Sequence, residues 1–178
     1  HGKDGMDAVD TLYANTRNNP IEDIESHLPM RVTRYELREN VVGPGKWRGG
    51  FGSLRAFRYL EPGGFSVEGE GHKYRPWGFL GGGEGTPAAL DLEHADAPTE
   101  ALPSKVPYHP TRPGDTFFAK GPAGGGYGNP FERDPAAVLD DVLDELITER
   151  LAEDLFGVVI RDGAIDEAAT AARRAAAR

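Results

Sequence analysis

The chain has 178 residues, a formal charge of −9, 24 glycines, 14 prolines and no cysteine. The negative balance argues against general nucleic-acid binding and against attraction to an anionic membrane surface, since both need cations to neutralise phosphate. The missing cysteine excludes structural disulfides, thiolate nucleophiles and Cys-based zinc sites, and no apolar run reaches the roughly 20 residues of a membrane span. A cytoplasmic protein fits this composition, and a start at His1 rather than methionine suits a processed chain or a piece of a longer one.

Residues 1–19 read as a polar loop. Asn19-Pro20 then opens a helix over IEDIESHL. Asn19 is the expected N-cap, Pro20 fits the first helical position, Glu22 stands where a capping-box acid belongs, and Pro29 stops the helix. RVTRYELRE (31–39) alternates polar and apolar sides, which predicts a strand. GPGKWRGGFG (43–52) is a glycine loop. SLRAFRYLE (53–61) predicts a second strand, Pro62-Gly63-Gly64 a hairpin turn, and FSVEGEGH (65–72) its partner. PWGFLGGGEGTPAAL (76–90) is a second glycine loop. Residues 91–104, polar and proline-containing, read as an exposed excursion, and RPGDTFFAKGP (112–122) as a turn and a strand.

A third glycine-rich stretch follows, AKGPAGGGYGNPFERDP (119–135). Linkers are rich in Ser, Glu, Lys or Gln and poor in aromatics. Here Tyr127 and Phe131 interrupt the glycines and the run ends in a helix cap. A tyrosine ring supplies apolar area that holds a loop down, and glycines let backbones approach closely. The stretch is therefore expected to be an ordered loop.

From Asp134-Pro135 onward the pattern turns helical. Val138, Leu139, Val142, Leu143, Leu146 and Ile147 fall at helical spacing, with Asp134 as N-cap and Pro135 at the first position. Thr148 caps a second helix, ERLAEDLF, which Gly157 ends. VVI (158–160) predicts a short strand, RDG a turn, and Asp166 the cap of a last, alanine-rich helix. The expected fold class is α+β: a glycine-looped, mostly antiparallel β portion within residues 1–133, then a helical portion over 134–178. Charge is segregated along the chain. Residues 31–58 hold seven Lys/Arg against two acids, and residues 132–167 hold twelve acids against three arginines. The acidic segment predicts a solvated helical face, unsuited to docking on DNA.

Two stretches suggest chemistry. In GPGKWRGGFG, converging backbone N–H groups with Lys46 and Arg48 would suit an anion. The alternative is a tight turn whose cations are solvated or paired with carboxylates. The spacing of a P-loop is absent. In NTRNNPIEDIE (15–25), Asn15, Thr16 and Arg17 precede a helix start and would suit a phosphate, carboxylate or amide carbonyl. Glu22 and Glu25 share a helix face there, which admits an acid/base or metal role as well as plain capping. His1, His27, His72, His94 and His109 form no HxH, HxxxH or HExxH motif. His1 with Asp4 or Asp7 is only weak metal spacing, so no metal site is assigned. No serine lies in a nucleophile elbow, and no complete catalytic constellation is present.

GPGKWRGGFGSLR, PWGFLGGGEG, RPGDTFFAKGPAGGGYGNPFERDP and DDVLDELITERLAEDLFGVVI, in this order, resemble the hydantoinase B/oxoprolinase family. NTRNNPIEDIE resembles its Asn-Thr-x-x-x-Pro-x-Glu element. The likeness covers almost all of this chain and corresponds to the C-terminal third of family chains. The family includes subunits of N-methylhydantoinase, 5-oxoprolinase, caprolactamase and the acetone and acetophenone carboxylases. The resemblance implies one component of an ATP-dependent, multi-subunit amidohydrolase or carboxylase. A hydantoinase A-type partner would bind ATP and Mg and phosphorylate an amide or enolate oxygen. The remaining B-type portion would be a second partner and would carry any metal. Carried over by motif, Arg17, Glu22, Lys46 and Arg48 would act in catalysis. Asn15, Thr16, Gly124, Gly125, Gly126 and Tyr127 would line the substrate. The chain departs from the family at Gly69-Glu70-Gly71, where relatives often read Gly-Glu-Arg; Arg75 would be the substitute cation. The alternative function is a non-catalytic assembly module of such a complex.

Overall fold

Alternation of apolar and polar side chains builds the main sheet. The computed structural model describes residues 2–9 and 18–177. Its first helix, α1, spans Ile21–His27 and packs on strand β1, Met30–Leu37. Strands β2 (Ser53–Tyr59), β3 (Gly63–Glu68), β4 (Ala89–Glu93), β5 (Glu100–Leu102), β6 (Lys105–Thr111) and β7 (Thr116–Lys120) follow. Five of them form an antiparallel sheet in the order β1-β2-β7-β4-β5, while β3 pairs with β6 alone. A 3-10 turn at Pro130–Glu132 leads to α2 (Pro135–Leu143) and α3 (Glu149–Phe156). A two-stranded β8-β9 ribbon (Ile160–Arg161, Ala164–Ile165) and α4 (Glu167–Ala175) complete the chain. The fold class is α+β, with most of the helix after residue 134.

The helix caps are set by local chemistry. The side chains of Asp134, Thr148 and Asp166 accept from the backbone N–H groups of Ala136, Leu151 and Ala169. Gly157 ends α3 at φ 64°, a left-handed conformation open to glycine without a Cβ penalty. At α1 the structure corrects the expected cap: Pro20 takes the cap position and no side chain caps it.

Two strand expectations are also corrected. The segments 53–61 and 65–72 do not pair. Both edges of β2 are already taken, Ala56 facing Arg34 on one side and Phe118 on the other. The turn instead folds β3 onto the face of the sheet, where the Phe65 ring sits 4.5 Å from that of Phe117. Residues 91–104 are not simply an exposed excursion. They supply most of the β4-β5 hairpin and bury Leu92 and Leu102, together with Leu90, Val106, Phe117 and Tyr59, in one apolar cluster.

A second cluster joins the first glycine loop to the helices. Val42 and Phe51 pack with Val138, Ile147, Ala152, Phe156, Val158 and Ile160. Phe51 and Phe156 are both fully buried, and truncating such a ring to alanine costs about 3–5 kcal/mol. This packing fixes the glycine loops between the sheet and the helices.

Candidate functional site: a cleft built from three glycine loops

The three glycine loops meet. The third runs between the other two and hydrogen-bonds to both. Gly124 N donates to Gly50 O (2.9 Å) and Gly126 N to Gly83 O (2.9 Å). Tyr127 and Trp47 exchange two backbone bonds (2.9 and 3.1 Å), and Gly83 N donates to Pro44 O (2.7 Å). The backbones lie so close that a Cβ on Gly126 would overlap the carbonyl of Pro44. The stretch AGGGYG is thus the middle layer of a hydrogen-bonded knot, the ordered loop that its aromatic residues imply. Arg38, at the end of β1, ties the knot to the sheet by donating to Pro87 O (3.0 Å) and Gly121 O (2.5 Å).

All three loops border one cleft of ≈ 550 Å³. Its wall includes Gly50, Phe51 and Gly52 from the first loop, Pro76 from the second and Gly121 to Gly124 from the third. Met6, Ala8 and Val9 close another side. Arg55 of β2 is the cleft's one charged wall residue among the described residues. Its guanidinium lies 5.0 Å from the Tyr35 ring centre, and its buried Nε has no hydrogen-bond partner among the described residues. Backbone amides, small apolar groups and one guanidinium suit a small, polar or anionic molecule.

The predicted residues are not gathered at one place. Gly124 lines the cleft, while Gly125 and Gly126 are layers of the knot behind it. Tyr127 sits on the far side, its ring 5.8 Å from that of Phe79. Lys46 is half-exposed and not part of the cleft wall, with Nζ 3.6 Å from Glu132 and its backbone N–H bonded to Gly128. Glu22 is exposed in the first turn of α1, away from the cleft wall, and does not act with Glu25, whose carboxylate takes Arg31 and the Val32 N–H. Asn15, Thr16 and Arg17 lie outside the described residues.

Arg48 does not reach the cleft. It is buried in an ion network with Asp4, Asp7, Arg133 and Asp141. Its Nε lies 3.0 Å from Asp141 and its Nη1 2.9 Å from Asp7. Arg133 donates to both oxygens of Asp4 (2.5 and 2.8 Å) and to Asp141 (2.9 Å). Burial opposes the charge on Arg48, but Asp7, Asp141 and Asp4 outweigh it and hold the guanidinium protonated more firmly than usual. Burial also works to raise Asp4, yet the Arg133 and Arg48 bonds keep its carboxyl below the ordinary value. At Asp141 burial wins and pushes the carboxyl up, against the pull of the same two arginines. The network pins residues 4–7 against the knot; Asp7 also accepts from Phe51 N (2.8 Å). Asp4 and Asp7 are therefore arginine partners. Among the described residues no group of three or more His, Asp or Glu side chains is arranged to hold a metal ion.

Sequence reading missed Arg55, Arg38 and the network. Arg55 sits inside an ordinary strand pattern, and the network's partners are 41, 93 and 129 positions apart in the chain. The one available signal was the excess of arginine over acid in residues 31–58.

An antiparallel sheet, a helical tail and a cleft lined by three interlocked glycine loops define the class. The chain belongs to the hydantoinase B/oxoprolinase family, which matches residues 1–130. It is 57% identical over 163 residues to the "Putative D-/L-hydantoinase" B-type subunit of Pseudomonas sp. (strain NS671), covering 91% of this chain and 28% of that one. The crystal structure of ATP-dependent caprolactamase from Pseudomonas jessenii superposes with a TM-score of 0.78 at 30% identity, covering 92% of this chain and 29% of that one. A nucleotide-free acetone carboxylase shares the fold, with a TM-score of 0.84 over 99% of this chain and 28% of its own. The chain thus spans less than a third of the length of the relatives it matches. No helix among the described residues is long and apolar enough to cross a membrane.

Proposed function

We propose that the chain is one component of a multi-subunit, ATP-dependent amidohydrolase or carboxylase of the hydantoinase/oxoprolinase type. Its substrate would be a cyclic amide or a ketone enolate activated by phosphorylation. The observation that carries this reading is the single cleft shared by all three glycine loops, with the Arg55 guanidinium in its wall. A neutral lactam is a poor electrophile, and its O-phosphate is a much better one. A hydantoinase A-type partner would hold ATP and Mg and transfer the phosphoryl group. The cleft would then receive the activated molecule.

In this reading Arg55 faces the phosphate or the developing oxyanion, and the backbone around Gly124 shapes the pocket. Lys46, outside the cleft wall, adds positive charge to the first glycine loop. Arg17, Asn15 and Thr16 keep the roles that the family resemblance implies, while Glu22, exposed and off the cleft wall, has none in this cleft. Arg48 acts indirectly, holding residues 4–7 and the first loop in place.

The test uses the whole complex, purified through this chain. ATP hydrolysis should depend on added lactam, hydantoin, or ketone with bicarbonate. Arg17→Ala and Lys46→Ala should lower turnover and leave assembly intact. A chain that is stably monomeric in its source cells, with no such turnover in any fraction containing it, overturns the proposal.

A further inference from the structure

Four apolar side chains stand in solvent within the seven residues 74–80, which lead into the second glycine loop: Tyr74 (75% exposed), Trp77 (81%), Phe79 (60%) and Leu80 (65%). The loop's backbone is held at Pro76 and Phe79. Phe79 N donates to Gly126 O (2.9 Å), Gly128 N to Phe79 O (2.9 Å) and Gly85 N to Pro76 O (2.8 Å). The Phe79 ring leans on Tyr127. Leu80 has φ 48°, a left-handed conformation uncommon for leucine. A strained, hydrogen-bonded turn that directs its large apolar residues outward is preorganised for contact. Rigid aromatic anchors of this kind dominate binding energy because little freedom is lost when they dock. Lys73, 5.3 Å from the Tyr74 ring centre, and Arg75 give the patch a basic rim.

We propose that this face seats the portion of a hydantoinase B-type subunit that the present chain does not match. The proposal rests on the reading that the chain works within such an assembly. Residues 74–80 lie inside the family match. In relatives such as the 57% identical hydantoinase subunit, this chain corresponds to only 28% of the length, so the same fold is joined to more than twice as much further polypeptide. Pro76 lines the cleft while the next residue, Trp77, is exposed. A body seated on Trp77 therefore meets the chain one residue from the cleft wall.

The experiment is oxidative footprinting and lysine cross-linking of the assembly purified through this chain, against the isolated chain. Trp77 should be protected in the assembly, and Lys73 should cross-link to a B-type polypeptide. A variant with Trp77→Ala and Leu80→Asn keeps the fold, because both side chains are exposed and asparagine tolerates the left-handed turn. It should retain that polypeptide about 30-fold more weakly or worse. Protection by a second copy of this chain or by the ATP-binding subunit overturns the proposed occupant. An assembly containing a B-type polypeptide in which Trp77 stays oxidisable overturns the docking face but leaves the functional reading standing. A chain found alone, with no assembly, overturns both.

Discussion

Arg133 Nη2 lies 2.8 Å from Asp4 Oδ2, although the two residues are 129 positions apart in the chain. Arg133 is itself only 2% exposed, and its guanidinium bridges Asp4 to the buried Asp141 of α2. Removing one member of such a pair strands a charge away from water. Arg133→Met and Asp141→Ala should each cost about 3–5 kcal/mol. Asp144→Ala, on the exposed turn after the same helix, should stay within about 0.5 kcal/mol of the parent. Urea unfolding followed by tryptophan fluorescence measures all three. Losses under 1 kcal/mol for both buried variants would show that the network does not hold the fold.

The same corner gives a pH dependence with a definite sign. Asp4 is held below its ordinary value of 3.8, despite burial, by Arg133 and Arg48. A depressed carboxylate stabilises the fold above its unfolded pKa, and that contribution is lost as pH falls through the folded value. Asp141, raised by burial, works the other way, so total stability mixes the two. Asp4→Asn isolates the first. The stability gap between parent and variant should be constant near neutrality and close progressively below about pH 4. Amide exchange at Gly5 and Ala8, which bond to Arg48 O and Phe51 O, reports the same loosening. A gap that widens on acidification would contradict the assignment.

Glycine in the knot is required by contact between backbones. A Cβ on Gly126 would overlap Pro44 O, and one on Gly43 would overlap Gly124 O. No flexible side chain stands there to give way. Gly126→Ala should cost more than about 3 kcal/mol, the upper range for overpacking a well-filled interior. Gly63→Ala is the control, since its Cβ would meet nothing closer than 3.7 Å. Thermal unfolding of the two variants decides. Equal melting temperatures would mean that the loops separate more easily than their hydrogen bonds imply.

Local signals in the chain were legible and non-local ones were not. Asp134, Thr148 and Asp166 cap helices because capping needs only a side-chain oxygen and an N–H two or three residues on. Tyr127 and Phe131 marked the third loop as ordered. A change of direction at Pro62 was equally plain, although Gly63 and Gly64 already belong to β3 and not to the turn. What lay beyond it was not, because the partner of β3 depends on β7 having already filled the edge of β2. Leu90, Leu92 and Leu102 were hidden among acids and prolines. The contrast between Lys46 and Arg55 has the same origin. A cation among glycines draws notice, yet Lys46 is not part of the cleft wall, and only strand pairing carries Arg55 there.

That placement yields the prediction closest to chemistry. The Arg55 Nε is buried and has no hydrogen-bond partner among the described residues, and the guanidinium lies over the Tyr35 ring, so a donor is left over for a ligand. If the cleft receives an activated, negatively charged substrate, this is the group positioned to meet the charge. Arg55→Ala in the assembled complex should lower kcat by about 10²–10³-fold, the range for losing one preorganised donor to an oxyanion. Arg55→Lys should recover part of this, since it keeps the charge but loses the planar fork. Lys46→Ala should cost less than about tenfold, because its half-exposed charge is screened by water and by Glu132. Melting temperature and subunit retention should be unchanged in all three, which separates the proposed role from a structural one. Wild-type kcat in Arg55→Ala would move the chemistry out of this cleft.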